Sequence, residues 1–97
     1  MILKVENLED LLKSGVYKIV NKTTNRCYIG STIMTINKRT SHHINRLRCN
    51  KHKNKYLQNA WNKYGESDFM IEIIEITDKD NTLIREQYWI DYYKINN

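Results

Sequence analysis

Two short motifs built around a tyrosine are the first feature of this sequence that could do chemistry. They are Gly15-Val16-Tyr17 and Tyr28-Ile29-Gly30, and ten residues separate the two tyrosines. A tyrosine is a poor base at its reference pKa of ~10, but a neighbouring metal ion or arginine lowers that pKa. Either tyrosine could therefore accept a proton from water at a site that also holds positive charge.

Three further side chains could complete such a site. Arg39 carries a fork of donors that suits a non-bridging phosphate oxygen, and His43 follows it by four residues. Glu86 is a lone carboxylate that could hold one Mg²⁺ mostly through water molecules. Phosphodiester hydrolysis requires a deprotonated water, charge neutralisation at phosphorus and help for the leaving oxygen. These residue types are suited to that reaction.

The tyrosine motifs are expected to lie on a β-hairpin. The strand-like segments Gly15–Val20 and Arg26–Gly30 flank a short polar stretch, which is typical of a hairpin. If the loop is Asn21–Thr24, Tyr17 lies directly opposite Tyr28. Directly opposed residues share one face of a sheet, so the two hydroxyls would lie side by side.

The remaining elements follow from the spacing of apolar residues. It predicts a short leading helix at Glu6–Lys13, helices at Thr35–Cys49, Lys53–Tyr64 and Lys79–Tyr93, and a central strand at Phe69–Ile76. The order α-β-β-α-α-β-α predicts an α+β fold, with a small three-stranded antiparallel sheet flanked by helices. In the helix at Thr35–Cys49 the apolar stripe is Ile36, Thr40, Ile44 and Leu47. In the next helix the residues expected to face the core are Tyr56, Leu57, Ala60, Trp61 and Tyr64. The last helix carries Leu83, Ile84, Tyr88 and Ile90, and Tyr88 is expected in the core.

The charge of the chain is unevenly distributed. Its 97 residues, expected to form one domain over residues 1–97, carry a net charge of +5. Residues 38–55 contain seven lysines and arginines and no acid, whereas the acids concentrate later in the chain. This distribution predicts a basic face that binds a polyanion. The residues predicted to contact DNA are Arg46, His52, Lys53 and Lys55.

The composition also predicts where the protein acts. No apolar run approaches ~18 residues, so no membrane span is expected, and the N-terminus lacks the pattern of a signal peptide. Cys27 and Cys49 are too few for a disulfide framework and lack the spacing of a metal site. We expect a cytoplasmic protein with reduced thiols.

The motif pair resembles the GIY-YIG nuclease family, whose two name motifs have this spacing. Arg39 and His43 match the family's arginine and histidine, and Glu86 matches its metal-binding glutamate. His52 matches a histidine of the phage-intron homing branch. Valine replaces isoleucine in the first motif. The family's asparagine after the last helix has no clear counterpart, although Asn96 and Asn97 lie in that region.

The resemblance implies a metal-dependent endonuclease domain that hydrolyses phosphodiester bonds of double-stranded DNA with Mg²⁺ or Mn²⁺. It implies that Tyr17 is the base, that Tyr28 and His43 belong to its proton relay, and that Glu86 binds the metal. The chain would be the N-terminal part of a longer homing-type or phage endonuclease, acting in the host cytoplasm if phage-encoded. Since specific DNA interfaces bury ~1,000–2,500 Å², targeting is expected from a separate C-terminal region, with no obligate protein partner evident.

Two other functions are compatible with the same residues. A non-catalytic nucleic-acid-binding module would keep the fold and the basic face, and its affinity would survive removal of the Glu86 carboxylate. A small interaction domain would present its basic face to an acidic protein, and would lack salt-dependent binding to duplex DNA. Restriction and repair roles also stay open within the nuclease hypothesis.

Overall fold

The computed structural model describes residues 2–96 and the side chains of residues 4–94. Within these limits, no helix is both long and apolar enough to cross a bilayer. Short 3₁₀ helices at Leu8–Leu12 and Glu66–Asp68 accompany the main elements. These are the strands β1 (Ile2–Lys4), β2 (Gly15–Asn21), β3 (Cys27–Thr32) and β4 (Phe69–Ile76), and the helices α1 (Ile36–Arg48), α2 (Lys55–Tyr64) and α3 (Thr82–Asn96).

The sheet contains the three predicted strands in an antiparallel arrangement and a fourth strand beside them. Its order is β1-β4-β2-β3, and β2 pairs antiparallel with both β3 and β4. Strand β4 is internal, as predicted. Strand β1 pairs parallel with β4 and was not predicted, because three residues are too few to show an alternating pattern.

The hairpin register differs from the prediction by two residues. Tyr17 pairs with Gly30, and Tyr28 pairs with Ile19, so the predicted Tyr17–Tyr28 pair is wrong. The loop is longer than expected, since the Asn21 N–H donates to the Arg26 carbonyl oxygen at 2.9 Å. A shift of two residues preserves the face of every side chain. The two tyrosines therefore share a face, as predicted, but lie diagonally.

The core lies between the sheet and helices α1 and α2. Ile36, Thr40 and Leu47 are buried in α1, as their spacing predicted. Helix α1 begins after Thr35, whose hydroxyl accepts the Lys38 N–H, and such a cap stabilises a helix start by about 1 kcal/mol. The largest fully buried side chains are Tyr17, Phe69, Ile19, Ile36, Leu47, Ile71, Val16 and Thr82.

The predicted core positions of Tyr56 and Tyr88 are wrong. Tyr56 on α2 is 89% exposed, and three apolar residues of α3 are also exposed: Leu83, Ile84 and Tyr88. Helix α3 contacts the sheet with a different side, since the Trp89 indole N–H donates to the Glu75 carboxylate at 2.9 Å. Apolar residues lie all round this helix, so their spacing could not identify its buried face.

Candidate active site

The glycines of the two motifs make room for tight packing around Tyr17. The ring of Tyr17 is fully buried and lies against Gly30, where a Cβ atom would come within 2.6 Å of the tyrosine oxygen Oη. At Gly15, a Cβ atom would collide with the backbone oxygen of Glu75 on β4. Any larger residue at these positions must displace the neighbouring strand or the tyrosine. The spacing of the motifs thus places a buried phenol beneath a glycine.

Two histidines continue from this phenol in a buried chain of hydrogen bonds. Tyr17 Oη lies 2.7 Å from His43 Nε2, and His43 Nδ1 lies 2.7 Å from His52 Nε2. The backbone N–H of Asn54 donates to His52 Nδ1 at 3.0 Å. His43 and His52 are 3% and 5% exposed, so water competes little for these contacts.

The Asn54 amide determines the direction of this chain. A backbone N–H can only donate, so His52 Nδ1 carries no proton and a neutral His52 is protonated at Nε2. His52 then donates to His43 Nδ1, which places the His43 proton on Nε2. His43 therefore donates to Tyr17 Oη, and the hydroxyl proton of Tyr17 points elsewhere. Neutral His43 stabilises negative charge on this oxygen instead of removing its proton.

The electrostatic surroundings keep both histidines neutral and both tyrosines protonated. Burial, followed by the positive charge of Arg39, lowers the pKa of His43 to about 3. Burial also lowers the pKa of His52. For Tyr17 and Tyr28, burial raises the pKa, and the charge of Arg39 opposes that shift. Either phenol needs further positive charge nearby before it can act as a base near neutral pH.

Protein stability should fall in mild acid because His43 stays neutral in the folded state. Its pKa of about 3 lies below the ordinary value of 6.5, so only the unfolded chain takes up this proton as the pH falls. The free energy of unfolding should drop by on the order of 2 kcal/mol between about pH 7 and about pH 5. Urea unfolding at several pH values measures this loss. In a His43→Gln variant the dependence should be shallower, whereas His42→Gln, on the exposed neighbour, should keep it. Equal slopes in all three proteins would contradict the assignment.

Glu86 lies half-buried on α3. Its charge raises the pKa of both Tyr17 and Tyr28, which places the carboxylate near both phenols. Glu75 on β4 holds the helix in this orientation by accepting from Arg85 at 2.7 Å and from Trp89 at 2.9 Å. The four catalytic candidates Tyr17, Tyr28, Arg39 and His43 are thus brought together with Glu86.

The donor set fits a single hard cation. Within residues 4–94, no group of three or more His, Cys, Asp and Glu side chains could surround a metal. Mg²⁺ is commonly held by one or two carboxylates, with substrate phosphates and water filling its other positions. Glu86, half-buried beside two phenols, provides such a carboxylate. His43 and His52 are unsuited as ligands because their ring nitrogens are engaged in the hydrogen-bonded chain.

A basic cleft opens beside the histidines. This first cleft has a volume of about 340 Å³. Of the predicted DNA contacts, Arg46 and Lys53 line it, while Lys55 is exposed at the start of α2. His52 also borders the cleft, but it is buried with both ring nitrogens hydrogen-bonded. The structure thus places His52 behind His43 and not at the exposed position predicted for a phosphate contact. The lining residues are Tyr28, Arg39, His42, His43, Arg46, His52, Lys53 and Asn54.

Sequence reasoning missed two residues that hold His52 in place. One is Asn54, whose backbone N–H sets the direction of the chain. The other is Gln58, which is 3% exposed, accepts from the His52 backbone N–H at 3.0 Å and donates to the Leu47 carbonyl at 3.0 Å. A signal was present, because Gln58 precedes the buried Trp61 by three residues and so shares its helix face. The predicted asparagine candidates, the Asn96 side chain and Asn97, lie outside the described residues.

Comparison with known proteins identifies the class to which this arrangement belongs. The family model of the GIY-YIG catalytic domain matches residues 13–97. The chain therefore belongs to the GIY-YIG catalytic domain family, as the motif pair predicted. It is 36% identical over 81 residues to intron-associated endonuclease 1 of Enterobacteria phage T4. The aligned region covers 81% of this chain and 32% of that protein. The chain thus spans about a third of the length of this curated relative.

Solved structures show the same fold. The catalytic domain of the homing endonuclease I-TevI matches with a TM-score of 0.76 and 34% identity, over 82% of this chain and 87% of that one. A mutant of that domain matches with a TM-score of 0.75 and 34% identity, over 82% of each chain. These matches confirm the predicted α+β arrangement of a small sheet and flanking helices.

Proposed function

We propose that this domain is an endonuclease that hydrolyses phosphodiester bonds of double-stranded DNA with Mg²⁺ or Mn²⁺. The observation that supports this most is the buried Tyr17–His43–His52 chain, whose phenol end lies near both Arg39 and Glu86. The donor behind the phenol and the positive charge of Arg39 beside it both favour the phenolate that a tyrosine base requires, and Glu86 offers a carboxylate for a cation. A purely structural tyrosine has no need of this combination.

Tyr17 is the base in this proposal. The His43 N–H donates to Oη and would stabilise the phenolate, and the charge of Arg39 lowers the pKa of the phenol. Burial opposes ionisation, so Tyr17 becomes a base only when the site is loaded. The phenol proton would be released to bulk water, and the phenolate would take a proton from the attacking water. Tyr28, whose ring centroid lies 5.4 Å from that of His43, closes the other side of the imidazole.

Arg39 and Glu86 are the residues proposed to neutralise the charge of the phosphate, Arg39 directly and Glu86 through a cation. The guanidinium of Arg39 is exposed at the first cleft, where it can donate to a non-bridging oxygen. Glu86 would hold a divalent cation, which would supply charge neutralisation at the phosphate and further lower the pKa of nearby phenols. Together these charges offset the negative charge that develops during hydrolysis.

Binding to DNA follows the basic residues around the first cleft. Arg46 and Lys53 line the first cleft together with Arg39 and would contact phosphates near the scissile one, and Lys55 extends the basic face along α2. These contacts read charge and not sequence. We therefore infer that a separate DNA-binding region supplies targeting. The match to about a third of a longer intron-associated endonuclease supports this inference, and a homing or phage endonuclease is the role we favour.

The direct test is conversion of supercoiled plasmid to nicked circles by the wild-type chain. We expect nicking with Mg²⁺ or Mn²⁺ and none in excess EDTA. A gel-shift assay with the same DNA in EDTA should show binding that weakens as salt rises. Salt-dependent binding without nicking under any metal condition would favour the non-catalytic binding module. If the protein neither binds nor nicks the plasmid, DNA is not its partner.

The packing of Gly30 against Tyr17 leads to a separate prediction. Gly30→Ala should displace the Tyr17 ring, reduce the free energy of unfolding by about 1–3 kcal/mol and strongly reduce nicking at a temperature where the variant is folded. Gly65→Ala is the matched control, because Gly65 has φ +86° with no atom within 4 Å of a Cβ. It should lose about 1–3 kcal/mol, because alanine is strained at this φ, and keep its nicking rate. Full activity in folded Gly30→Ala would show that the position of the ring is unimportant.

A further inference from the structure

A second cleft lies beside the first, between the β2–β3 hairpin and α2. It has a volume of about 650 Å³, within the usual range for ligand pockets of ~300–1,000 Å³. Tyr28 and Asn54 line both clefts, so the two are adjacent. A DNA strand with one phosphate at Arg39 therefore has a neighbouring nucleotide within reach of the second cleft.

The walls of the second cleft are aromatic and apolar, with a basic rim. Tyr56 and Tyr64 contribute aromatic rings, and Tyr56 is 89% exposed. Arg26 and Lys63 supply positive charge, and none of the described lining residues is acidic. Stacking on aromatic rings and pairing of phosphates with cations are the two means by which proteins hold unpaired nucleotides.

A buried asparagine also lines this cleft. Asn21 is 4% exposed, and its Oδ1 accepts the backbone N–H groups of Thr23 and Thr24 at 3.0 and 3.4 Å. Its Nδ2 has no hydrogen-bond partner in the described part of the chain. Buried donors are seldom left unpaired, since the lost hydration is costly. A base carbonyl or ring nitrogen entering the cleft would supply an acceptor.

We propose that the second cleft binds one unstacked nucleobase of the substrate strand, next to the phosphate held at the first cleft. This inference rests on the proposed function. Tyr56 stacks on the base, Arg26 and Lys63 contact the backbone around it, and Asn21 donates to its edge. The nuclease domain would then have its own base preference close to the cut.

Binding in EDTA tests the proposal without requiring cleavage. The probes are a short single-stranded oligothymidylate and an abasic oligomer with the same number of phosphates. Wild type should bind the base-containing oligomer about tenfold more tightly, and Tyr56→Ala should remove most of that difference. Tyr88→Ala, which removes an exposed tyrosine of α3 outside the cleft, should keep it. Equal affinity of wild type for the two oligomers, or an unchanged difference in Tyr56→Ala, would overturn the proposal.

Cleavage of a plasmid library with a randomised segment, followed by sequencing of the ends, gives the second readout. Wild type should prefer certain bases at one position near the cut, and Asn21→Asp should change that preference. The aspartate keeps the oxygen that accepts from Thr23 and Thr24 but removes the donor. The same base profile in wild type, Tyr56→Ala and Asn21→Asp would overturn the proposal. Base-dependent binding without any cleavage would instead refute the nuclease function and leave the cleft assignment standing.

Discussion

Glu86→Gln is expected to slow metal-dependent nicking by about 10³-fold while leaving binding to duplex DNA intact, because a metal contributes several kcal/mol of transition-state stabilisation. Glutamine keeps the size of the side chain and removes the charge that would hold the cation. Loss of a negative charge near DNA does not weaken binding to phosphates. Single-turnover nicking and a gel shift, measured on the same plasmid, separate the two effects.

Asp91→Asn is the matched control for this variant. Asp91 is an exposed acid on the same helix, and its carboxylate accepts a hydrogen bond from Gln87 at 2.9 Å. Its loss removes an equal charge from α3 without touching the two tyrosines, so the nicking rate should be kept. If Glu86→Gln nicks at the wild-type rate, the cation is held elsewhere or is not used.

Tyr17→Phe should reduce nicking by about 10²–10⁴-fold, the usual contribution of a general base. The phenyl ring fills the same buried space against Gly30, so the fold should be retained. The His43 N–H loses its acceptor, and an unpaired buried donor should lower the free energy of unfolding by about 1–3 kcal/mol. Single-turnover rates and urea unfolding of the same preparation report the two losses separately.

Tyr28→Phe provides the comparison for Tyr17→Phe. Tyr28 lies on the same face of the sheet, two residues from Gly30, but the Tyr17 hydroxyl is the one paired with His43. We expect a smaller loss of nicking and little change in stability. An inactive Tyr28→Phe beside an active Tyr17→Phe would transfer the role of base to Tyr28.

The sequence predicted most of the elements because each carries its own local signal. Strand β4 has the predicted bounds, α1 and α2 differ from the predictions by one or two residues at an end, and α3 begins and ends three residues later than predicted. The hairpin register could not be derived, since it depends on how the loop up to Arg26 closes. The side of α3 that packs on the sheet could not be predicted from the spacing of its apolar residues, because it is determined by the contact between Glu75 and Trp89.

The candidate site was predictable where it depends on motif spacing. The spacing of the two motifs pointed to Tyr17 and Tyr28, and the family resemblance carried by these motifs brought Arg39, His43 and Glu86 into the prediction. The inner part of the hydrogen-bonded chain was not predictable. His52 joins it only because Gln58 and Asn54 hold the segment before α2 in one conformation. Such contacts form between separate elements, and residue types alone do not specify them.

A double variant tests most directly whether Tyr17 and Glu86 act in one cation-assisted step. The single-turnover nicking rate should be measured for wild type, Tyr17→Phe, Glu86→Gln and the double variant with the same plasmid and Mg²⁺ concentration. Residues that work as a unit show strongly non-additive losses, so the double variant should be about as slow as the slower single variant. Losses that multiply in the double variant would show that the two residues act independently, and would contradict the single active site proposed for this domain.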